Sequence, residues 1–543
     1  MISPSQSIFV TLLLLFFAFV CLSLPFNKVV SDKFFELSII HFSDFHARYV
    51  PVSPSGGLCH ENEKCVGGIA RVANIVQRLK QIRKNAIFLN AGDCFEGTLY
   101  YGIYRGNITA YFMNELPHDA MTIGNHDFDD EVSGLASFLK QLRAPVVATN
   151  IDRSQEAELR DLYTNSTVIS KGGKNIGIIG AIFSGTDKIS STTGKVKFLN
   201  EVETINLEAR KLKARGVNII LVLSHCGIDR DKIIASTCPD VDVIVGGHSH
   251  ILLYNGKAPS NDIVYDKYPV VISQKGSDRK VLIVHASAFT KYMGDIRIVF
   301  DEDDEVAHWE GDPIYLDSSV QEDQTIVKEL EPWSIEVDKI GKRVIGETKV
   351  FLNDSCYAGE CNLANLITDA MVDTYSTNSS IALTTALHVK NSIPVGPILY
   401  EDLYMASPYN GTWDLIELQG KDLLQVLEDN VATSLDNSSF INLKLLHWSG
   451  LKVTYNLSNE KSKLVSAKIT CLECKGKLED IDVNKWYAIV VSDYLLTAAF
   501  ETIAKKHRNR FVGLVRDPDN LADYIQKTMK AVDIKTEGRM IFL

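Results

Sequence analysis

Five short clusters in the first half of this chain combine residue types that bind cations. They are Asp44-Phe45-His46, Gly92-Asp93, Gly124-Asn125-His126-Asp127-Phe128-Asp129, Ser224-His225-Cys226 and Gly247-His248-Ser249-His250. Together they offer carboxylates, imidazoles and one amide oxygen, the hard-to-borderline donors that suit zinc, manganese and similar divalent ions. Any one cluster alone is ordinary, because an Asp-x-His or a Gly-Asn-His also arises around a core histidine or a turn asparagine. All five, however, fall just after an apolar run that reads as a strand. In an open α/β sheet the loops at the carboxyl ends of strands converge on one crevice, so residues distant in sequence meet there.

The elements that must position these clusters are legible as patterns. Leu37-His41, Ala86-Asn90, Val146-Thr149, Ile176-Ile179, Ile219-Leu223, Val243-Val245 and Val270-Ile272 are short β-branched runs that read as buried strands. Gly68 to Lys84 and Glu203 to Arg215 show helical periodicity between them. The alternation predicts a layered α/β domain ending near Leu316. Residues 318–343 are charged and helical without a strand signal, which marks them as a linker, and mixed patterning resumes at Val344-Ile345-Gly346. No internal repeat is visible.

The chain has 543 residues, 45% hydrophobic and 23% charged, enough for two or three cores. Its formal net charge of -12 argues against a nucleic-acid or anionic-membrane surface and points to small molecules or proteins as partners. Residues 8–24 form an apolar run read as a signal peptide, spanning 1–25 and cut between Cys21 and Asn27. Its first residues lack Lys and Arg, and an uncleaved anchor is the alternative. No later apolar run of that length occurs, and the C-terminal residues lack the hydrophobic tail of a lipid-anchor signal, so a soluble, secreted, extracellular protein is expected.

Cys59/Cys65, Cys356/Cys361 and Cys471/Cys474 are close pairs able to staple short loops in an oxidising compartment. The last is also a Cys-x-x-Cys, which elsewhere serves redox or zinc chemistry, but no second such pair accompanies it. Cys94, Cys226 and Cys238 are left over. Asn107, Asn165, Asn353, Asn378, Asn410, Asn437 and Asn456 each open an Asn-x-Ser/Thr sequon, a candidate glycan site in a secreted chain.

The five clusters resemble those of the metallophosphoesterase superfamily, and residues 37 to 543 are similar as a whole to the 5'-nucleotidase/apyrase family. The resemblance implies a four-layer α/β/β/α N-terminal domain over 36–317, a linker helix over 318–343 and an α/β substrate-binding domain over 344–543. It implies two divalent metal ions, with zinc expected and manganese, magnesium or calcium open. Asp44, His46 and His250 would hold one ion, Asn125, His225 and His248 the other, and Asp93 would bridge. Two such cations neutralise a phosphate and activate water for in-line attack. His126 would stabilise the phosphoryl group or assist the leaving oxygen, with Asp129 orienting its ring. Arg48 is a further candidate, weighed against a plain surface arginine.

In the second domain the match degrades. The family's Cys-Arg-x-x-x-Cys reads Cys356-Tyr357-Ala358-Gly359-Glu360-Cys361, and its Asn-Gly-Gly-Gly-Ile-Arg loop falls near Thr384–Val389, which holds no Gly, Asn or Arg. Both departures remove a bidentate phosphate clamp. Pro408-Tyr409-Asn410-Gly411-Thr412 and Asp493-Tyr494-Leu495 keep two aromatic rings placed to sandwich a base, whereas Ala498-Ala499-Phe500 replaces the carboxylate that holds a ribose. A glycan at Asn410 would crowd that cleft. Soluble members of the family resemble the salivary apyrases of blood-feeding arthropods, which remove ATP and ADP and restrain platelet aggregation. The alternative expectation is a binding protein on the same fold, such as an antagonist of the platelet integrin.

Overall fold

Strand Phe35–Phe42 shows how the first half is layered. Its side chains alternate: Leu37 and Ile39 enter a core shared with a second sheet, while Ile40 and Phe42 face the opposite way into a helix-covered core. The computed structural model describes residues 34–190, 192–274, 276–409, 411–431, 442, 444–459, 462–470, 477–528 and 531–543. The first sheet runs in the order Val306–Gly311, Tyr292–Phe300, Phe35–Phe42, Ala86–Asn90, Ala120–Thr122, Val146–Val147. The second runs Val270–Ser273, Lys280–Val284, Val243–Gly246, Ile219–His225, Lys174–Ile182, Ser166–Lys171. One apolar cluster joins the two sheets, drawing Ile87 and Leu89 from the first and Ile178, Val222 and Ile244 from the second. Helices Ile69–Ile82, Gly106–Glu115 and Glu131–Gln141 contribute to the core on the outer face of the first sheet. Glu201–Ala214 and Ile228–Thr237 pack on the second. The arrangement is the expected α/β/β/α.

Val146-Thr149 is shortened to Val146–Val147, the other expected strands fall inside observed ones, and the expected helices Gly68 to Lys84 and Glu203 to Arg215 are observed as Ile69–Ile82 and Glu201–Ala214. Two strands outside those expectations matter. Tyr292–Phe300 pairs antiparallel with Phe35–Phe42, Ile296 opposite Ile39, and Lys280–Val284 extends the second sheet beside Val243–Gly246. They bring the loop after His250 back to the site.

Helix Gln324–Gly341 follows, its N-terminus capped by the Asp323 carboxylate accepting from Thr325 N and Ile326 N. Tyr100 of the first half donates or accepts a 2.8 Å bond with Ser334 on this helix. The second half holds a five-stranded sheet, ordered Leu446–Ser449, Ala382–Thr385, Trp486–Ser492, Trp413–Gln419, Arg508–Phe511, and a four-stranded one closed by Met540–Phe542. Disulfides join Cys59 to Cys65 and Cys356 to Cys361, while Cys471 and Cys474 lie outside the described residues. Cys94, Cys226 and Cys238 are buried and unpaired. Of the sequons, Asn107, Asn165, Asn353 and Asn378 are exposed, Asn456 is half-buried, and Asn410 and Asn437 lie outside the described residues, as do residues 1–33. No described helix is long and apolar enough to cross a membrane.

Candidate metal centre

The strand ends deliver the clusters to one place. Strands Phe35–Phe42, Ala86–Asn90, Ala120–Thr122, Ile219–His225 and Val243–Gly246 all end at the same edge, and their loops carry Asp44, Asp93, Asn125, His225 and His248. Donor atoms of Asp44, His46, Asp93 and His250 lie within 4.8 Å of one another, and so do those of Asp93, His225 and His248. The two groups share Asp93. Within them His46 Nε2 and His250 Nε2 approach to 3.2 Å, Asp44 Oδ1 is 3.2 Å from His250 Nε2, and Asp93 Oδ2 is 3.0 Å from His225 Nε2.

The tautomers are set from behind. His46 Nδ1 donates to Phe95 O (3.2 Å) and His225 Nδ1 donates to Ala91 O (2.7 Å), so each Nε2 faces the shared centre. Asn125 Oδ1 is buried without a hydrogen-bond partner. An orphaned acceptor beside a buried carboxylate is costly unless a cation satisfies it. The donor set of imidazoles, carboxylates and an amide oxygen fits such a cation, so the residues present fit a divalent pair.

Backbone geometry says the same. Asp44, His46, Asp93, His248 and His250 all take positive φ, between 46° and 73°, a region that costs non-glycine residues about 1–3 kcal/mol each. Gly124 lets the loops nest, because a Cβ there would lie 2.0 Å from Asp93 Oδ1. Under the second-sheet ligands, Ser224 Oγ donates to Asp231 Oδ1 (2.6 Å) and His285 Nε2 lies 2.8 Å from Asp231 Oδ2, fixing the strand end that carries His225.

Electrostatics divides the imidazoles. Burial holds His46 well below its usual value and lowers His248 to about 3. Burial also lowers His225, but the Asp93 and Asp44 carboxylates outweigh it and raise the ring to about 9. For His126 burial again opposes the charge, and Asp129, Asp93 and Glu96 raise it to about 10. His126 Nδ1 is 2.6 Å from Asp129 Oδ2, and its backbone N donates to Asp93 Oδ1 (2.9 Å), so the imidazolium sits beside the shared carboxylate.

Arg48 is no surface residue. It is buried, donates to His46 O (2.6 Å) and Gly56 O (3.3 Å), and lies over the Phe289 ring, pegging the first ligand loop. Asp127, in sequence only a letter of its motif, has a role of its own. Its carboxylate accepts from Cys94 N, Phe95 N and Gly124 N and so ties the Asp93 and Asn125 loops together. Glu96 carries no sequence signal: it is buried at positive φ, 3.5 Å from His126 Nδ1, with burial raising its carboxyl to about 8. Lys390, one residue past the loop that lacks the family's arginine, places its ammonium 5.7 Å from the Tyr409 ring centroid. Tyr409 and Tyr494 both reach the cleft, but the His388 imidazole lies between them. Tyr409 also stacks on His126 at 5.7 Å, so the two halves meet over the centre.

Comparison with known proteins accords with this geometry. Residues 37–252 match the model of calcineurin-like phosphoesterases and residues 344–504 that of the 5'-nucleotidase C-terminal domain. The chain is 40% identical to an apyrase of Tabanus yao over 93% of each chain. It is 39% identical to an apyrase of Anopheles gambiae, covering 91% of this chain and 88% of that one. The crystal structure of a 5'-nucleotidase precursor from Thermus thermophilus superposes with a TM-score of 0.85 at 34% identity, covering 94% of this chain and 99% of that one.

Proposed function

Because this chain belongs to the 5'-nucleotidase family and is a nucleotide phosphohydrolase, we propose that it is a secreted apyrase that removes extracellular ATP and ADP and thereby restrains platelet aggregation. The observation that carries the reading is the pair of donor groups sharing Asp93, with Asn125 Oδ1 orphaned beside it. In this reading residues 36–317 do the chemistry, 318–343 join the halves, 344–543 present the substrate, and 1–25 are removed on secretion.

Asp44, His46, Asp93 and His250 would hold one divalent ion, and Asp93, Asn125, His225 and His248 the other. Bound there, the ions neutralise the phosphate and activate water for in-line attack. His126, charged and held by Asp129, stands ready to give its Nε2 proton to the leaving oxygen as the phosphoanhydride breaks. Lys390 supplies the cation on the second domain's side of the cleft. Tyr357 stands where the family has an arginine and is 41% exposed, which favours a second reading: a binding protein on the same frame, such as an integrin antagonist.

Phosphate release from ATP, ADP and AMP by the purified secreted protein, with and without chelator, separates the two. Expected is chelator-sensitive release from ATP and ADP that falls about 10²–10⁴-fold in His126→Ala. No release above that variant with any divalent ion would leave the binding protein.

A further inference from the structure

The roof of the cleft is a continuous stack of rings. His126 stacks on Tyr409 (5.7 Å between centroids, 27° between planes) and Tyr409 on His388 (4.9 Å, 25°), His388 packs tilted against Tyr494 (5.0 Å, 30°), and Phe500 closes the row edge-on (5.7 Å, 76°). The slot between Tyr409 and Tyr494, the place a planar base would stack, therefore contains one planar ring already, and it is the chain's own. Burial, and then Lys390, lower the His388 imidazole to about 3, so the ring is neutral and stacks as a flat aromatic.

The turn that presents His388 is anchored at both ends. Ala386 N donates to Leu445 O (2.7 Å), Thr385 Oγ1 accepts from Leu387 N (3.4 Å), Val389 N donates to Ala386 O (3.2 Å) and Lys390 N donates to Ala406 O (2.9 Å). Ala386, His388 and Val389 are buried, and no glycine interrupts the segment. These bonds fix the backbone that carries the ring, and the imidazole itself is buried against the two tyrosines, so it is a fixture of the cleft. The phosphate side is different: Tyr409, which carries Lys390 on its ring, also stacks on His126 beside the donor groups around Asp93, so cations and candidate ligands gather at that end of the row.

We propose that His388 permanently occupies the base slot, so that this enzyme reads the polyphosphate chain and is indifferent to the base, taking base-free inorganic polyphosphates as substrates alongside nucleoside polyphosphates. The inference rests on the phosphohydrolase reading above. With inorganic tripolyphosphate the step is the same: water adds to a terminal phosphorus, the P–O–P bond breaks, the proton passes to the leaving oxygen, and orthophosphate and pyrophosphate form.

The test compares initial rates for ATP, CTP, UTP and inorganic tripolyphosphate. In the wild type, kcat/KM for the four should agree within about threefold. In His388→Gly the KM for ATP should fall about tenfold as the adenine gains the slot, while that for tripolyphosphate stays put. His388→Gln, which removes the aromatic face and keeps the bulk, should leave ATP unchanged. A wild type that prefers ATP to tripolyphosphate by more than about thirtyfold overturns the proposal without needing any variant. Adenosine, which carries no phosphate, decides the matter where no substrate is hydrolysed: quenching of tyrosine fluorescence by adenosine in His388→Gly but not in the wild type supports the occupied slot even if the phosphohydrolase reading fails, and quenching in the wild type overturns it.

Discussion

The floor and the roof of this cleft are finished to different degrees. On the floor, five of the candidate ligand residues hold strained positive-φ backbone, and Asn125 Oδ1 is buried with nothing to bond. On the roof, Tyr409, His388 and Tyr494 pack ring against ring, and the turn beneath them has its backbone bonds made. A surface that carries an unmet acceptor and strain gains most from a ligand, and one already packed gains least. Binding energy in this protein should therefore come from the phosphate end of the substrate.

The sharpest way to break that comparison is at Asp93, which belongs to both donor groups. Asp93→Asn should lose at least about a thousandfold in phosphate release and hold fewer than two ions per chain by plasma mass spectrometry. Retention of two ions and normal turnover would show that the floor is not built around this carboxylate. Next in size is Gly124→Ala. Its Cβ would sit 2.0 Å from Asp93 Oδ1 and 2.4 Å from Asp93 N, so the loop must shift, and a displacement near 1 Å costs on the order of a hundredfold in kcat. The circular-dichroism spectrum should stay unchanged, which separates misplacement from unfolding.

On the roof the expected effects are small. Tyr494→Ala should change the KM for ATP by less than about threefold, whereas an enzyme that stacks a base there would lose about five- to a hundredfold. A loss in that larger range would put the base back in the slot. Smallest is the contact that ties the halves together at the rim, His60 Nε2 to Asp402 Oδ1 at 2.8 Å. The hydrogen bond to Asp402 raises the imidazole above its usual 6.5, against a smaller opposing effect of burial. A raised folded value stabilises the protein fully below pH 6.5 and the benefit is lost as pH rises through that raised value. Relative to His60→Asn, the wild type should be more stable by about 1 kcal/mol or less at pH 6, and equal at pH 9, in thermal melts.

Much of the floor was legible because its chemistry is local. Each candidate ligand stands at or just after a strand, and Asp, His and Asn there signal chemistry whatever the partner. The fixed layers followed from the same runs. The residues that escaped are those whose meaning lies in another part of the chain. Glu96 sits in Phe95-Glu96-Gly97 with no sign that His126 will face it, and Arg48 looks like a surface residue until Phe289 and the His46 carbonyl close on it. His388 needs three separate segments to become an occupant of the slot, and nothing in its own stretch of sequence announces Tyr409 or Tyr494. Asp127 hid inside a recognised motif, where its neighbours drew the attention.

The three unpaired cysteines among the described residues bear on how the chain behaves in an oxidising medium. Burial pushes the Cys94 and Cys226 thiols far up and Cys238 to about 12, so no thiolate is presented while the fold is intact. The folded protein can thus meet oxidants without scrambling. Once opened by heat or denaturant, the same three thiols become free partners for the sulfurs of the Cys59–Cys65 and Cys356–Cys361 staples. Native protein and denatured protein thereby differ in reversibility as well as in stability: loss of structure in an oxidising medium becomes a one-way event, and the lifetime of the molecule there is set by how seldom it opens.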